Sequence, residues 1–155
     1  MTPKMAELKI LNNKEIKEII SLIEQQWGAR MELDYGFLKN SNGRVFIISK
    51  DISKIDASKL RLNSAGIYFC EIDKKGIRLS IEGSQIVGHK ATKNIVEINE
   101  EETRKWFRGE DLEKNCSNCS GFVILKNNND FLGTGKYSNG KILNYVGKTR
   151  RVKMI

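Results

Sequence analysis

Proline is almost missing from this chain of 155 residues: Pro3 is the only one. No fixed φ punctuates the interior, so glycine and asparagine have to mark the turns. Histidine is as scarce, with His89 alone. A Ser-His-Asp or Cys-His constellation would have to recruit it, and no recognisable nucleophile context accompanies it. The three cysteines, Cys70, Cys116 and Cys119, are an odd number without a secretion signal, which argues against a disulfide framework. No apolar run approaches the length of a spanning helix, and the N-terminus lacks the charged-then-apolar order of a signal peptide. A cytoplasmic protein without membrane attachment is expected. Acidic residues are also absent from Phe131 to the end of the chain.

What is present is positive charge, in a chain sized for one domain or two very small ones. Charged residues make up 30% and hydrophobic ones 39%, and 27 Lys and Arg against 19 Asp and Glu give a formal net charge of +8. Such a balance favours an acidic partner, and nucleic acid is the commonest. An anionic membrane surface fits less well, because no long basic amphipathic helix and no lipidation motif is visible. The charge gathers in residues 121–153, which read as a small β-meander. Phe122, Val123, Ile124 and Leu125 form an apolar run of strand length, residues 127–130 (Asn-Asn-Asn-Asp) make a turn, and Phe131-Leu132 resumes the strand. A second turn, Ser138-Asn139-Gly140, leads into residues 142–146. Lys136, Lys141, Lys148, Arg150, Arg151 and Lys153 are interleaved with Tyr137 and Tyr145. A basic tail can serve solubility alone. Cations alternating with aromatics on a sheet also suit a phosphate backbone and unstacked bases.

Upstream, residues 12–28 carry the clearest helix: Ile16, Ile19, Ile20, Ile23 and Trp27 recur at helical spacing, Asn12 with Glu15 resembles a capping box, and Gly28 suits the stop. Trp27 on that stripe is assigned to packing. Residues 33–38 and 44–49 flank an Asn-Gly turn and predict a hairpin. Residues 50–60 read as a short helix or loop whose Lys50, Lys54 and Lys59 form a secondary basic patch or a solvated face. Residues 67–72 and 77–81 predict a second hairpin, with Arg78 and Ser80 on its wet face. Periodicity is lost over 82–93, where Gly83 and Gly88 suggest a boundary between halves. A short strand over 94–99 and a helix over 100–107 with an acidic first turn follow.

Five segments resemble a known family. Leu132, Gly133, Gly135 and Lys136, then Asn144, Lys148 and Arg151, match two C-terminal segments of the PUA-like region in RsmF-type Nop/Sun RNA cytosine-C5 methyltransferases. Thr134, Leu143 and Gly147 stand where that family has Trp, Lys and Pro. Residues 106–112 (Trp-Phe-Arg-Gly-Glu-Asp-Leu) resemble its Leu-Arg-Gly-Glu segment, and residues 62–67 and 71–76 resemble the stretch before its PUA-like domain. A weaker likeness joins the chain to the nuclear-import-protein-seven family of ribosome-assembly factors. The resemblance implies an α+β fold: a small N-terminal α/β domain with antiparallel hairpins over residues 1–90, then a PUA-like β-barrel over 91–155, standing as a protein of its own.

The methyltransferases also carry a catalytic domain with a glycine-rich cofactor loop and cysteines in Pro-Cys and Thr-Cys contexts. This sequence has neither cysteine context, and Gly133-Thr134-Gly135 is too short for a nucleotide loop. Cys116 and Cys119 have zinc-ligand spacing but no second pair, so a surface loop without metal is expected. The expected function is therefore a non-enzymatic RNA-binding protein without cofactor, acting in rRNA or tRNA maturation or modification. Arg108, Lys136, Lys141, Lys148, Arg150, Arg151 and Lys153 would meet phosphate, Tyr145 would stack, and Asn144 would hydrogen-bond a base or ribose. The expected partners are rRNA or tRNA, with an RNA methyltransferase or pre-ribosomal proteins beside them. From another class, an adaptor binding a protein through its N-terminal sheet would show only incidental RNA affinity.

Overall fold

In the computed structural model, residues 8–49 and 66–151 are described. The segment holding Lys50, Lys54 and Lys59, the residues 62–65 of the upstream resemblance, and Lys153 lie outside them. The described residues form two five-stranded sheets and three α-helices, an α+β architecture.

The first sheet is an antiparallel meander in the order β1 (Lys9–Ile10), β2 (Gly36–Lys39), β3 (Arg44–Ile48), β4 (Ile67–Asp73), β5 (Gly76–Leu79). Helix α1 (Asn13–Trp27) connects β1 to β2. Its ends are as the sequence predicts. The Asn12 side chain accepts from the Glu15 amide and the Glu15 side chain accepts from the Asn12 amide, while Gly28 closes the helix at φ 66°.

The second sheet has the order β6 (Ile95–Glu97), β8 (Gly121–Asn127), β9 (Asp130–Ser138), β10 (Lys141–Leu143), β7 (Leu112–Glu113). Its centre is the predicted meander, turned at Asn128 (φ 53°) and at Asn139-Gly140 (φ 47° and 78°). Strand β6 pairs parallel to β8, an arrangement the hairpin reading did not include. This order has two ends, β6 and β7, so no closed barrel is seen among the described residues. Helix α3 (Glu100–Phe107) lies between β6 and β7 in the chain. It begins with a second reciprocal capping box, Asn99 with Glu102.

Residues 81–88 correct the sequence reading. Ile81 does not end a strand, and 82–88 is not an unstructured boundary: Ile81–Gly88 is helix α2, capped by Ser80. Its glycines are contact points. A Cβ on Gly83 would lie 2.1 Å from the Phe69 carbonyl oxygen, and one on Gly88 would lie 2.2 Å from the Phe131 ring. Helix α2 therefore presses against β4 on one side and β9 on the other. Ser84 Oγ accepts from the Gly133 amide at 2.8 Å, and Thr134 Oγ1 donates to the Leu79 carbonyl at 3.0 Å.

The larger apolar core draws on both sides of residue 90. Ile19, Ile23, Trp27, Phe37, Phe69 and Val87 pack with Phe122, Ile124 and Phe131. Trp27 is fully buried and its Nε1 donates to the Phe122 carbonyl at 3.1 Å, as its assignment to packing requires. Asn94 ties the same junction, donating to the Gln26 carbonyl and accepting from the Ser120 amide. A second core, around Trp106, Val123, Leu125 and Ile142, lies on the other face of the second sheet.

The expectation that the cysteines form no disulfide is also corrected at Cys116 and Cys119. They are joined by a disulfide, with Cα atoms 5.3 Å apart, because a tight turn closed by the Cys119 amide on the Cys116 carbonyl brings them together. Cys70 is a buried free thiol, and burial pushes its pKa up to about 12.

Candidate nucleic-acid interface

Where the two sheets meet, a cleft of about 420 Å³ opens. One wall comes from the first sheet and the start of α2, with Arg44, Tyr68, Arg78 and Glu82. The other is the chain leaving β10, with Tyr145, Lys148 and Arg150, the last two in a single 3₁₀ turn. Trp106, Gly133 and Thr134 also line it.

The first wall is built by cross-strand register. Arg44, Glu71 and Arg78 stand opposite one another on β3, β4 and β5, and so share a face. The Glu71 carboxylate pairs with Arg78 Nη2 and, at 3.7 Å, with Arg44 Nε. One carboxylate between two guanidiniums leaves the row with an excess positive charge. The Arg44 guanidinium lies 5.4 Å from the Tyr68 ring centre, and that of Arg78 lies 4.6 Å from the Tyr145 ring centre. Burial raises the Tyr68 phenol's pKa above its ordinary value against the opposing influence of Arg78 and Arg44, so Tyr68 stays a neutral donor at physiological pH.

The second wall holds three of the residues expected from the sequence. Tyr145 is half-buried, its ring edge-on to Phe122 with centroids 5.3 Å apart. Arg150 Nη1 reaches Glu82 Oε1 at 2.6 Å, which ties the two walls together. Lys148 is exposed and has no ion-pair partner among the described residues.

The other expected residues sit elsewhere. Lys136 and Lys141 project from β9 and β10, with Lys141 opposite Glu113 and Ser138. Arg108 caps α3 and pairs with Glu110 at 2.9 Å. Arg151 folds back over Gly109, donating from Nε to the Val146 carbonyl at 3.1 Å. A Cβ on Gly109 would lie 2.5 Å from that Nε, so this arginine needs the glycine beneath it.

Asn144, expected to bond a base or ribose, directs its side chain into the chain itself. Its Nδ2 donates to the carbonyls of Trp106 and Glu110, each at 2.8 Å, and its Oδ1 accepts from the Val146 amide at 2.8 Å. Both amide hydrogens are committed inside the chain, so no donor is left for a base or ribose. Together Asn144 and Arg151 clasp the tail onto residues 106–110. The Gly-X-Gly of β9 is structural in the same sense, because a Cβ on Gly135 would lie 2.6 Å from both Trp106 and Ile142.

Comparison with known proteins covers the segments joined by this clasp. The family model described as the methyltransferase RsmF PUA domain matches residues 93–152. Over these residues the chain is similar to the PUA domain of RsmF-type methyltransferases. The likeness extends upstream of this match. The chain is 28% identical over 131 residues to the ribosomal RNA small subunit methyltransferase F of Aeromonas salmonicida, covering 84% of this chain and 27% of that protein. It is 23% identical over 133 residues to the enzyme of the same name in Vibrio cholerae, covering 86% and 28%. With that of Vibrio atlanticus the figures are 27% over 110 residues, 67% and 23%. The chain thus spans about a quarter of the length of these curated relatives.

The segments that carry the resemblance, 106–112, 132–136 and 144–151, converge on one another around Trp106 and Gly109. Sequence reasoning missed the facing wall, Arg44, Tyr68 and Arg78. One signal was visible, since Arg78 alternates with the buried Ile77 and Leu79 and so had to lie on the open face of β5.

Proposed function

We propose that this chain is a non-catalytic RNA-binding protein acting in ribosomal RNA modification or maturation in the cytoplasm. The observation that carries this reading is that residues 93–152 match the family model of the RsmF methyltransferase PUA domain. The relatives act, by name, on RNA of the small ribosomal subunit, which makes that RNA the first substrate to try. The charge distribution supports the reading: the PUA domain has no acidic residue from Phe131 onward, and Tyr145, Lys148 and Arg150 meet Arg44 and Arg78 at one cleft. We assign recognition of RNA chiefly to residues 91–155 and support of that surface to residues 1–90, with a methyltransferase or pre-ribosomal proteins as further partners.

The non-catalytic part of the reading is supported by Gly133-Thr134-Gly135, which lies in a β-strand packed under α2 and against Trp106 rather than in a cofactor loop. The test has two arms. Purified protein should retain labelled small-subunit rRNA fragments at low salt and release them at high salt. With RNA and labelled S-adenosylmethionine it should transfer no label into cytosine above a no-protein control. Absence of RNA binding under all salt conditions sinks the RNA assignment, and label transfer sinks the non-catalytic one.

A further inference from the structure

We propose that the cleft between the two sheets is a subsite for one unstacked nucleotide of single-stranded RNA, with its base on Tyr145, its phosphate on Lys148 and Arg150, and Arg44 and Arg78 of the first sheet as the facing wall. This rests on the RNA-binding reading above and adds where, and in what form, RNA is held.

Size gives the first argument. A volume of about 420 Å³ falls near the lower end of ordinary ligand pockets, roughly 300–1,000 Å³, and suits one nucleotide but not a helix. Composition gives the second. Four cations, Arg44, Arg78, Lys148 and Arg150, line the cleft with one carboxylate, Glu82, among them, and Glu71 pairs with two of the arginines from β4. The site keeps a positive excess that a phosphate would satisfy. Third, Tyr145 is presented as a stacking platform: Phe122 holds the ring through an edge contact, and the flat guanidinium of Arg78 lies 4.6 Å from its centre. A base offers the same flat face, and an arginine displaced from a tyrosine has a phosphate or a base edge to move onto.

The walls are already fixed. The Gly133 amide donates to Ser84 Oγ on α2 and Thr134 Oγ1 donates to the Leu79 carbonyl of the first sheet, which fastens the second sheet to both, so entry of a nucleotide requires rearranging side chains rather than ordering backbone. The Arg150–Glu82 pair spans the cleft's two walls, half-exposed on the arginine side, and is the contact a phosphate would exchange. Free mononucleotide offers the same chemistry, and the experiment separates the two sources.

The full chain is titrated, by fluorescence anisotropy, with a labelled single-stranded octanucleotide and with a blunt hairpin of the same composition, and free cytidine monophosphate is added as competitor. Tyr145→Leu should weaken single-strand binding about 5- to 100-fold, and Lys148→Gln should reduce the salt slope by about 0.7. The hairpin should bind more weakly than the single strand and be insensitive to Tyr145→Leu. Photo-crosslinking of unmodified protein to an oligonucleotide containing 4-thiouridine should label the peptides holding Tyr68 or Tyr145, a readout that needs no variant to fold. Unchanged affinity and slope in both variants, with crosslinks confined to peptides of Lys136 and Lys141, overturns the cleft while leaving RNA binding intact. Competition by the mononucleotide at the same concentration as the octanucleotide overturns the RNA source. No binding of any RNA overturns this inference together with the function it rests on.

Discussion

Replacing Asn144 by alanine separates a clasp from an RNA contact. The side chain makes three hydrogen bonds, to the Trp106 and Glu110 carbonyls and from the Val146 amide. Each is worth about 0.5–1.5 kcal/mol net, and the two partly buried ones leave a partner unsatisfied when the amide goes. The bond to Glu110 is exposed, so water replaces it at lower cost. The expected destabilisation is about 2–3 kcal/mol, which for a chain of this length lowers the melting temperature by roughly 5–10 °C. Asn144→Asp should be no better. It keeps an acceptor for the Val146 amide but turns a carboxylate toward two carbonyl oxygens. Differential scanning calorimetry supplies the stability, and RNA affinity is read at a temperature where both proteins are folded. Per folded molecule that affinity should stay within about twofold of the parent, since no donor of Asn144 is free for RNA. An unchanged melting temperature with a large loss of RNA affinity would refute the clasp and restore the base contact expected from the sequence.

Three further outcomes follow from the packing and the titrating groups. Gly83→Ala forces a Cβ to within 2.1 Å of a backbone oxygen on β4 and should cost about 1–3 kcal/mol or more in denaturant unfolding, although alanine is the better helix former. Ellman's reagent under non-reducing conditions should titrate no thiol in the native protein and one in denaturant, because Cys116 and Cys119 are paired and Cys70 is buried with its pKa pushed up to about 12; three thiols in denaturant would remove the disulfide. At Glu102, burial, which by itself raises the carboxyl's pKa, is outweighed by the Asn99 amide and by Lys114 at 3.0 Å, and the net shift is downward. A carboxyl depressed in the folded state stabilises above its unfolded pKa and loses that contribution as pH falls through the folded value. Glu102→Gln should therefore cost under about 1 kcal/mol at neutral pH, with the difference from the parent closing below the ordinary carboxylate range in pH-dependent unfolding curves.

How much of this was legible in the sequence depended on whether the signal was local. The cap of α1, the acidic first turn of α3, the Asn-Gly turns and the strands of the β8–β9–β10 meander were readable because a few neighbouring residues determine each of them. Helix α2 was not. Gly83 and Gly88 read as breakers, while their actual use is to let the Phe69 backbone and the Phe131 ring approach, contacts made by residues far away in the chain. The same limit hid the candidate site. The basic tail could be listed residue by residue, but only register across β3, β4 and β5 sets Arg44, Glu71 and Arg78 in a row, and only the packing of two sheets brings that row to Tyr145. Asn144 and Arg151 show the reverse case. Their resemblance to family segments was visible, yet the hydrogen bonds to Trp106, Glu110 and Val146 show what each does within the fold.

The salt dependence of RNA binding tests the central claim most directly. Anisotropy titrations of a single-stranded small-subunit rRNA fragment, run at several salt concentrations for the parent protein and for Lys148→Ala combined with Arg150→Ala, give log affinity against log salt. Two lost phosphate contacts should reduce the magnitude of the slope by roughly one to two units while the melting temperature changes little, because both side chains are exposed. A parent protein with no salt-dependent RNA binding, or a double variant with the parent's affinity and slope, would contradict the assignment of this surface to RNA.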